Sequence, residues 1–133
     1  MPRKPLALVL GAIFGILALT DWAQVLLALI RPSDNPPALI ALHFGTSAAA
    51  AATCWGSWRR LRWTPIAAVA YGVLTAALLL ALPSLLDLPL EARGGIRAGA
   101  AVVLLFALLA AAYFRTDARQ AARQISTDRP TER

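Results

Sequence analysis

The chain is poor in the residues from which most metal and redox sites are built. Among its 133 residues there is one cysteine, Cys54, and one histidine, His43. A lone cysteine excludes a disulfide bond within the chain. A lone histidine excludes a haem held by two histidines, and the two residues together offer no set of metal ligands at useful spacing. We therefore expect neither a metal nor another cofactor.

Sequence motifs of catalysis are missing as well. The chain has no glycine-rich phosphate loop and no nucleophile elbow. Its seven acidic residues form no paired-carboxylate site outside the apolar stretches. We therefore expect a protein that is not an enzyme.

Charge is scarce, and apolar residues are in excess. Only 15% of the residues are charged, 59% are hydrophobic, and the mean hydropathy is +0.62. One domain of this length cannot bury so much apolar surface in a single core, so lipid must cover part of it. The net charge of +6 would suggest nucleic acid if it were spread over a soluble surface. The basic residues cluster between and beyond apolar runs instead, which favours a lipid bilayer and no nucleic acid as partner.

Four continuous apolar stretches predict helices at about residues 5–30, 37–58, 64–86 and 89–115. Each stretch is near or above the ~20 residues that a helix needs to cross a bilayer. The runs do not alternate, which argues against strands. We predict an all-α, integral membrane four-helix bundle over residues 1–116. A short, basic and partly disordered tail follows at 117–133, in which the last helix could continue to about Gln124.

The N-terminus allows one alternative. Arg3 and Lys4 precede an apolar run at 6–19, which is typical of a signal peptide. The run continues past Asp21 to Ile30, however, and no small-x-small cleavage motif ends it. An uncleaved first helix is the favoured interpretation.

The distribution of basic residues predicts an orientation. Alternating helices place both termini and the turn near residue 60 on one side. The lysines and arginines of that side are Arg3, Lys4, Arg59, Arg60, Arg62, Arg115, Arg119, Arg123, Arg129 and Arg133, whereas the other side has only Arg31, Arg93 and Arg97. Because cytoplasmic loops are enriched in such residues, we predict that both termini are cytoplasmic. The small size and the Ala/Leu/Arg-rich composition favour a bacterial inner membrane.

The stretch CWGSWRRLRWTP at 54–65 combines arginine with tryptophan, which collects at membrane interfaces. We interpret its aromatic and basic residues as interfacial anchors that face anionic lipid headgroups at the cytoplasmic surface: Trp55, Trp58, Arg59, Arg60, Arg62 and Trp63. A dedicated lipid-headgroup recognition site is the alternative.

Small residues predict which helix faces pack together. Gly11-x-x-x-Gly15 and Gly95-x-x-x-Gly99 have the spacing that lets helix backbones approach closely. The predicted inward stripe of the first helix is Ala7, Gly11, Phe14, Ala18, Asp21, Val25 and Ala28, and that of the second is His43, Thr46, Ala50, Thr53 and Ser57. The predicted lipid-facing residues of the first helix are Val9, Ile13, Ile16, Leu19, Leu27 and Ile30.

Three ionisable residues, Asp21, His43 and Arg97, lie inside the apolar stretches of three different helices. At about 1.5 Å per residue they sit roughly 15, 9 and 12 Å in from the non-cytoplasmic ends of their helices. An intramembrane charge at the bilayer centre costs at least ~2.5–3.5 kcal/mol, so we expect the three to face each other or water. The structural alternative is that Arg97 extends outward to the interface while Asp21 and His43 only hold helices together.

Two functions follow from these features. The first is a small accessory or structural membrane component without catalytic activity. The alternative is a small oligomeric transporter or channel, with a proton- or ion-linked polar cluster in the outer half of the bundle. Both functions allow a homo-oligomer or a membrane protein partner.

Overall fold

Helices dominate the part of the chain that the structure describes. The computed structural model describes residues 5–31, 36–85 and 89–127. Its helices are α1 (Pro5–Ile30), α2 (Pro37–Arg59), α3 (Thr64–Leu85) and α4 (Leu90–Thr127). Each of the four contains a segment long and apolar enough to cross a membrane. The predicted all-α class and the four-helix bundle are confirmed.

The fourth helix extends beyond the predicted boundary at about residue 115 and close to the continuation to about Gln124 that the sequence allows. α4 continues to Thr127, through most of what we predicted to be a separate tail. The continuation is rich in Ala, Arg and Gln, which have high helix propensity. An ion pair with Arg60 also holds Asp117 against the bundle. Residues 128–133, with Arg129 and Arg133, lie outside the described residues, as do Arg3 and Lys4.

Consecutive helices pack side by side. α1 lies against α2, α2 against α3 and α3 against α4, whereas the backbones of α1 and α4 barely approach each other. Because short connections join neighbours, the chain reverses direction at each one. We call the end that holds the turn Arg59–Trp63 the arginine end. The opposite end, with the connections after Ile30 and after Leu85, is the far end.

An aromatic cluster fills the centre of the bundle. The Phe14 ring is fully buried, with its centroid 5.4 Å from that of Tyr71 in a T-shaped contact. The Phe106 and Phe114 rings lie 5.7 and 6.4 Å from Phe14. Phe14 therefore bridges from α1 to α4, where the helix backbones are far apart. Most of the remaining buried core is alanine, at Ala18, Ala50, Ala68, Ala110 and Ala111.

The predicted inward stripes are confirmed at nearly every position. All members of the α1 stripe are buried except Asp21, which is half-buried. On α2, His43 is half-buried and the other members are buried. The predicted lipid-facing residues of α1 are all exposed. Small residues therefore face protein and bulky ones face outward, as in membrane bundles.

Glycines mark the closest helix contacts. A Cβ atom at Gly11 would collide with Ser57 Oγ, and one at Gly15 would lie 3.2 Å from Cys54 Sγ, both on α2. At Gly72 of α3 an added Cβ would overlap the Cβ of Ala107 on α4. The Ser57 hydroxyl can turn away and Cys54 need move only slightly, whereas the Ala107 methyl group cannot turn away, so a substitution at Gly72 would force α3 and α4 apart.

Candidate functional site

A polar cluster interrupts the apolar interior between α1 and α2. The Asp21 carboxyl group lies within hydrogen-bonding reach of the Thr46 hydroxyl and interacts electrostatically with His43. Thr46 and His43 come one turn apart on α2, and Asp21 enters from α1. The structure thus brings together two of the three predicted members of the cluster.

Hydrogen bonding in this cluster is incomplete. The Thr46 hydroxyl donates to the backbone carbonyl of His43 at 2.9 Å. A hydroxyl has one proton, so while it donates there it can only accept from Asp21. Asp21 Oδ2 and His43 Nδ1 are buried and have no hydrogen-bond partner among the described residues. Unpaired buried polar atoms cost free energy, which makes this the least satisfied part of the interior.

Helix α3 adds two residues that sequence reasoning missed. The Tyr71 side chain interacts electrostatically with Asp21 and lies beside Thr75. Thr75 Oγ1 is buried and forms no hydrogen bond of normal geometry within the described part of the chain. Tyr71 and Thr75 lie four residues apart, on one face of an apolar helix. That spacing was the signal available in the sequence.

The cluster opens toward the far end of the bundle. A cavity of about 560 Å³ reaches His43 and is lined by Gln24 and Arg31 together with aliphatic side chains. In the other direction the Tyr71 ring packs on Phe14, at the centre of the aromatic cluster. His43 is thus the member of the cluster that the cavity reaches, and Tyr71 is the member that contacts the aromatic side chains.

Arg97 lies apart from Asp21 and His43. Its side chain is exposed on α4, and it is not among the groups that interact electrostatically with Asp21. Arg93 is half-buried, with a buried Nε that has no hydrogen-bond partner in the segments described. The predicted three-residue cluster is therefore represented by its acid and its imidazole.

The arginine end carries the predicted anchors around a tight turn. The Arg59 guanidinium lies over the Trp55 ring, 5.0 Å from its centroid. Arg60 ends α2 in the left-handed conformation, with φ of 54°. Its Nε lies 3.7 Å from Asp117 Oδ2. Trp55, Trp58 and Trp63 are exposed, as interfacial indoles would be.

The two glycine pairs differ in their surroundings. Gly11 and Gly15 face α2, whereas Cβ atoms at Gly95 and Gly99 would meet nothing within 4 Å in the part of the chain that the structure describes. Gly95 is exposed and Gly99 is half-buried. The first pair serves packing within the chain, and the second borders open space on α4.

Comparison with known proteins adds no relative. No family model matches the chain, and no curated protein or solved structure shows significant similarity to it. Among the described residues there is also no group of three or more His, Cys, Asp or Glu side chains that could hold a metal ion. Function must therefore be argued from the geometry of the chain itself.

A double-mutant cycle should reveal which residues belong to the polar cluster. Asp21→Asn and His43→Gln should couple by about 0.5–3 kcal/mol in free energy of unfolding, because the two side chains interact. Asp21→Asn and Arg97→Gln should add within about 0.5 kcal/mol, since Arg97 lies apart. Unfolding by SDS in mixed micelles, followed by circular dichroism, measures both. If Asp21→Asn couples with Arg97→Gln and not with His43→Gln, the result would contradict this cluster and favour a contact between Asp21 and Arg97.

Proposed function

We propose that the chain is a non-enzymatic accessory component of a membrane, inserted through its four helices. The aromatic cluster around Phe14 carries this proposal, because it fills the centre of the bundle where a transport path would run. The cavity that reaches His43 from the far end is lined by none of these aromatic residues. A single chain of this form is suited to packing with other membrane components rather than to passing a solute.

We further propose a bacterial inner membrane with both termini in the cytoplasm. The concentration of basic residues and exposed tryptophans at the arginine end supports this orientation. A periplasm-active phosphatase fused after Arg133 should give no signal, and the same reporter fused after Arg31 should give a strong one. Signal from the C-terminal fusion would reverse the proposed orientation.

The surface of α4 around Gly95 and Gly99 is the proposed contact with a second copy or another membrane helix. Gly95, Ala98, Gly99 and Val102 recur at the spacing of one helix face. The glycines at Gly11, Gly15 and Gly72 each meet a neighbouring helix, but those at Gly95 and Gly99 meet none among the described residues. A helix that docks here would obtain the close approach that small residues allow.

Enlarging this face should abolish association. We expect Gly95→Leu combined with Gly99→Leu to remove the oligomer or co-purifying protein seen by native mass spectrometry in mild detergent. Ala101→Leu is the matched control, because Ala101 is exposed on α4 but turned away from the glycine face. A wild-type chain that is strictly monomeric and without partner would contradict the accessory role.

A second candidate, a small oligomeric transporter, rests on the polar cluster of Asp21 and His43 and on its access from the far end. A cavity reaches His43 from that end, and intramembrane ionisable groups often mark ion or proton paths. The part of the path beyond the aromatic cluster would then form between copies of the chain. Proton flux into proteoliposomes that is lost in Asp21→Asn, with folding unchanged, would favour this candidate over the accessory role.

A further inference from the structure

A groove runs between α3 and α4 from the arginine end into the apolar part of the bundle. Its volume is about 770 Å³, and its walls include Ile66, Val69 and Val73 of α3 and Ala112 of α4. The α3 residues recur at three- and four-residue spacing, so they form one continuous apolar wall. The groove is thus a lipid-facing cleft in a protein that spans the membrane as proposed above.

Three arginines surround the mouth of this groove. Arg62 and Arg115 line the groove itself. A contiguous cavity of about 250 Å³ shares both residues and adds Arg119. All three side chains are exposed. Asp117 is the described carboxylate nearest in sequence to Arg115 and Arg119. It pairs with Arg60 and lines neither cavity.

The dimensions of the groove fit one leaflet. From Pro65 to Val73 on α3, and from Ala111 to Arg119 on α4, it extends about 12 Å along each helix. Half of the hydrocarbon core is about 15 Å thick. The deep end lies near the level at which Gly72 and Ala107 bring α3 and α4 closest together.

We propose that this groove binds one anionic phospholipid, with its phosphate among Arg62, Arg115 and Arg119 and an acyl chain along the apolar wall. Guanidinium groups match phosphate oxygens in geometry and charge. A partner helix fits less well, because it would continue across the whole bilayer while the groove ends near its middle. The inference rests on the proposed membrane insertion, but it assigns a binding site that insertion alone does not require.

Native mass spectrometry of the purified chain with added phosphatidylglycerol or phosphatidylcholine tests the site. We expect retention of one phosphatidylglycerol in preference to phosphatidylcholine. Arg115→Gln and Arg62→Gln should each weaken that retention about fivefold, which is the usual contribution of one basic residue near an anionic lipid surface. Arg97→Gln is the control, because Arg97 is exposed on the same helix as Arg115 but lies outside the groove, toward the far end.

Filling the apolar wall provides a second, independent variant. Ala112→Phe should lower retention of either lipid, whereas Ala101→Phe, on the same exposed side of α4 but outside the groove, should leave it unchanged. Competition by inorganic phosphate at millimolar concentration, with no effect of Ala112→Phe, would overturn the lipid assignment in favour of a simple anion site.

The outcomes separate this inference from the proposed function. A chain that fractionates with membranes but retains both lipids equally in the wild type, Arg115→Gln and Ala112→Phe would overturn the lipid site alone. A chain found in the soluble fraction would overturn membrane insertion, and the lipid site with it. Selective retention that depends on Arg62, Arg115 and Ala112 but not on Arg97 or Ala101 is the result expected from the groove.

Discussion

Replacing Phe14 by alanine should lower the free energy of unfolding in mixed micelles by about 2–3 kcal/mol. Phe14 is fully buried and touches aromatic rings from α3 and α4. In water-soluble cores such a change costs about 3–5 kcal/mol. The part that reflects transfer from water shrinks in an apolar medium, but the lost van der Waals contacts remain. SDS titration followed by circular dichroism gives the value.

Phe44→Ala is the matched control for that experiment. Phe44 is 55% exposed on α2 and contacts Trp22 at a ring-centroid distance of 5.9 Å. Its removal leaves no enclosed cavity, so the expected loss is below about 1 kcal/mol. Equal losses for Phe14→Ala and Phe44→Ala would show that the aromatic cluster is not the centre of packing.

Gly72→Leu is the second substitution with a large expected effect. Even a Cβ atom at this position would overlap the Cβ of Ala107, and a leucine adds three more carbons. α3 and α4 must then separate along one of the most extensive interfaces of the bundle. We expect a loss of at least about 3 kcal/mol, at the upper end of overpacking effects, or failure to accumulate in the membrane. Yield and SDS unfolding measure the two outcomes.

The cause of that loss can be isolated with two further variants. Gly94→Leu lies on α4 where an added Cβ meets nothing within 4 Å among the described residues, so it should not destabilise the bundle, and leucine has a higher helix propensity than glycine. Gly72→Ala should be rescued by Ala107→Gly, because the second change removes the colliding methyl group. Destabilisation by Gly94→Leu as large as that by Gly72→Leu would argue against a steric origin.

Helix faces could be predicted from the sequence because periodicity carries that information. Small residues at three- and four-residue spacing from Ala7 to Ala28 defined the buried stripe of α1, and bulky residues such as Leu19 defined its exposed face. Both assignments, the buried stripe and the exposed face, follow from a single helix viewed alone. No knowledge of its neighbours is needed.

The partners of those faces could not be predicted in the same way. Asp21, His43 and Arg97 have similar depths, but depth does not determine which helices are adjacent. α4 packs mainly on α3 and barely approaches the backbone of α1, so Arg97 does not face Asp21. The burial of Asp117 was missed for a related reason, because it depends on Arg60 in a turn far away in sequence.

α4 is much longer than α3, which makes the bundle asymmetric. Its 38 residues amount to about 57 Å of helix, whereas the 22 residues of α3 amount to about 33 Å. A bilayer with its headgroups is about 40–45 Å thick, so in the proposed orientation the last turns of α4 stand clear of the membrane on the cytoplasmic side. The ion pair between Arg60 and Asp117 holds α4 against the bundle where this extension begins. The described end of α4 at Thr127 is thereby held at a distance from the lipid surface, in a direction set by the tilt of a single helix.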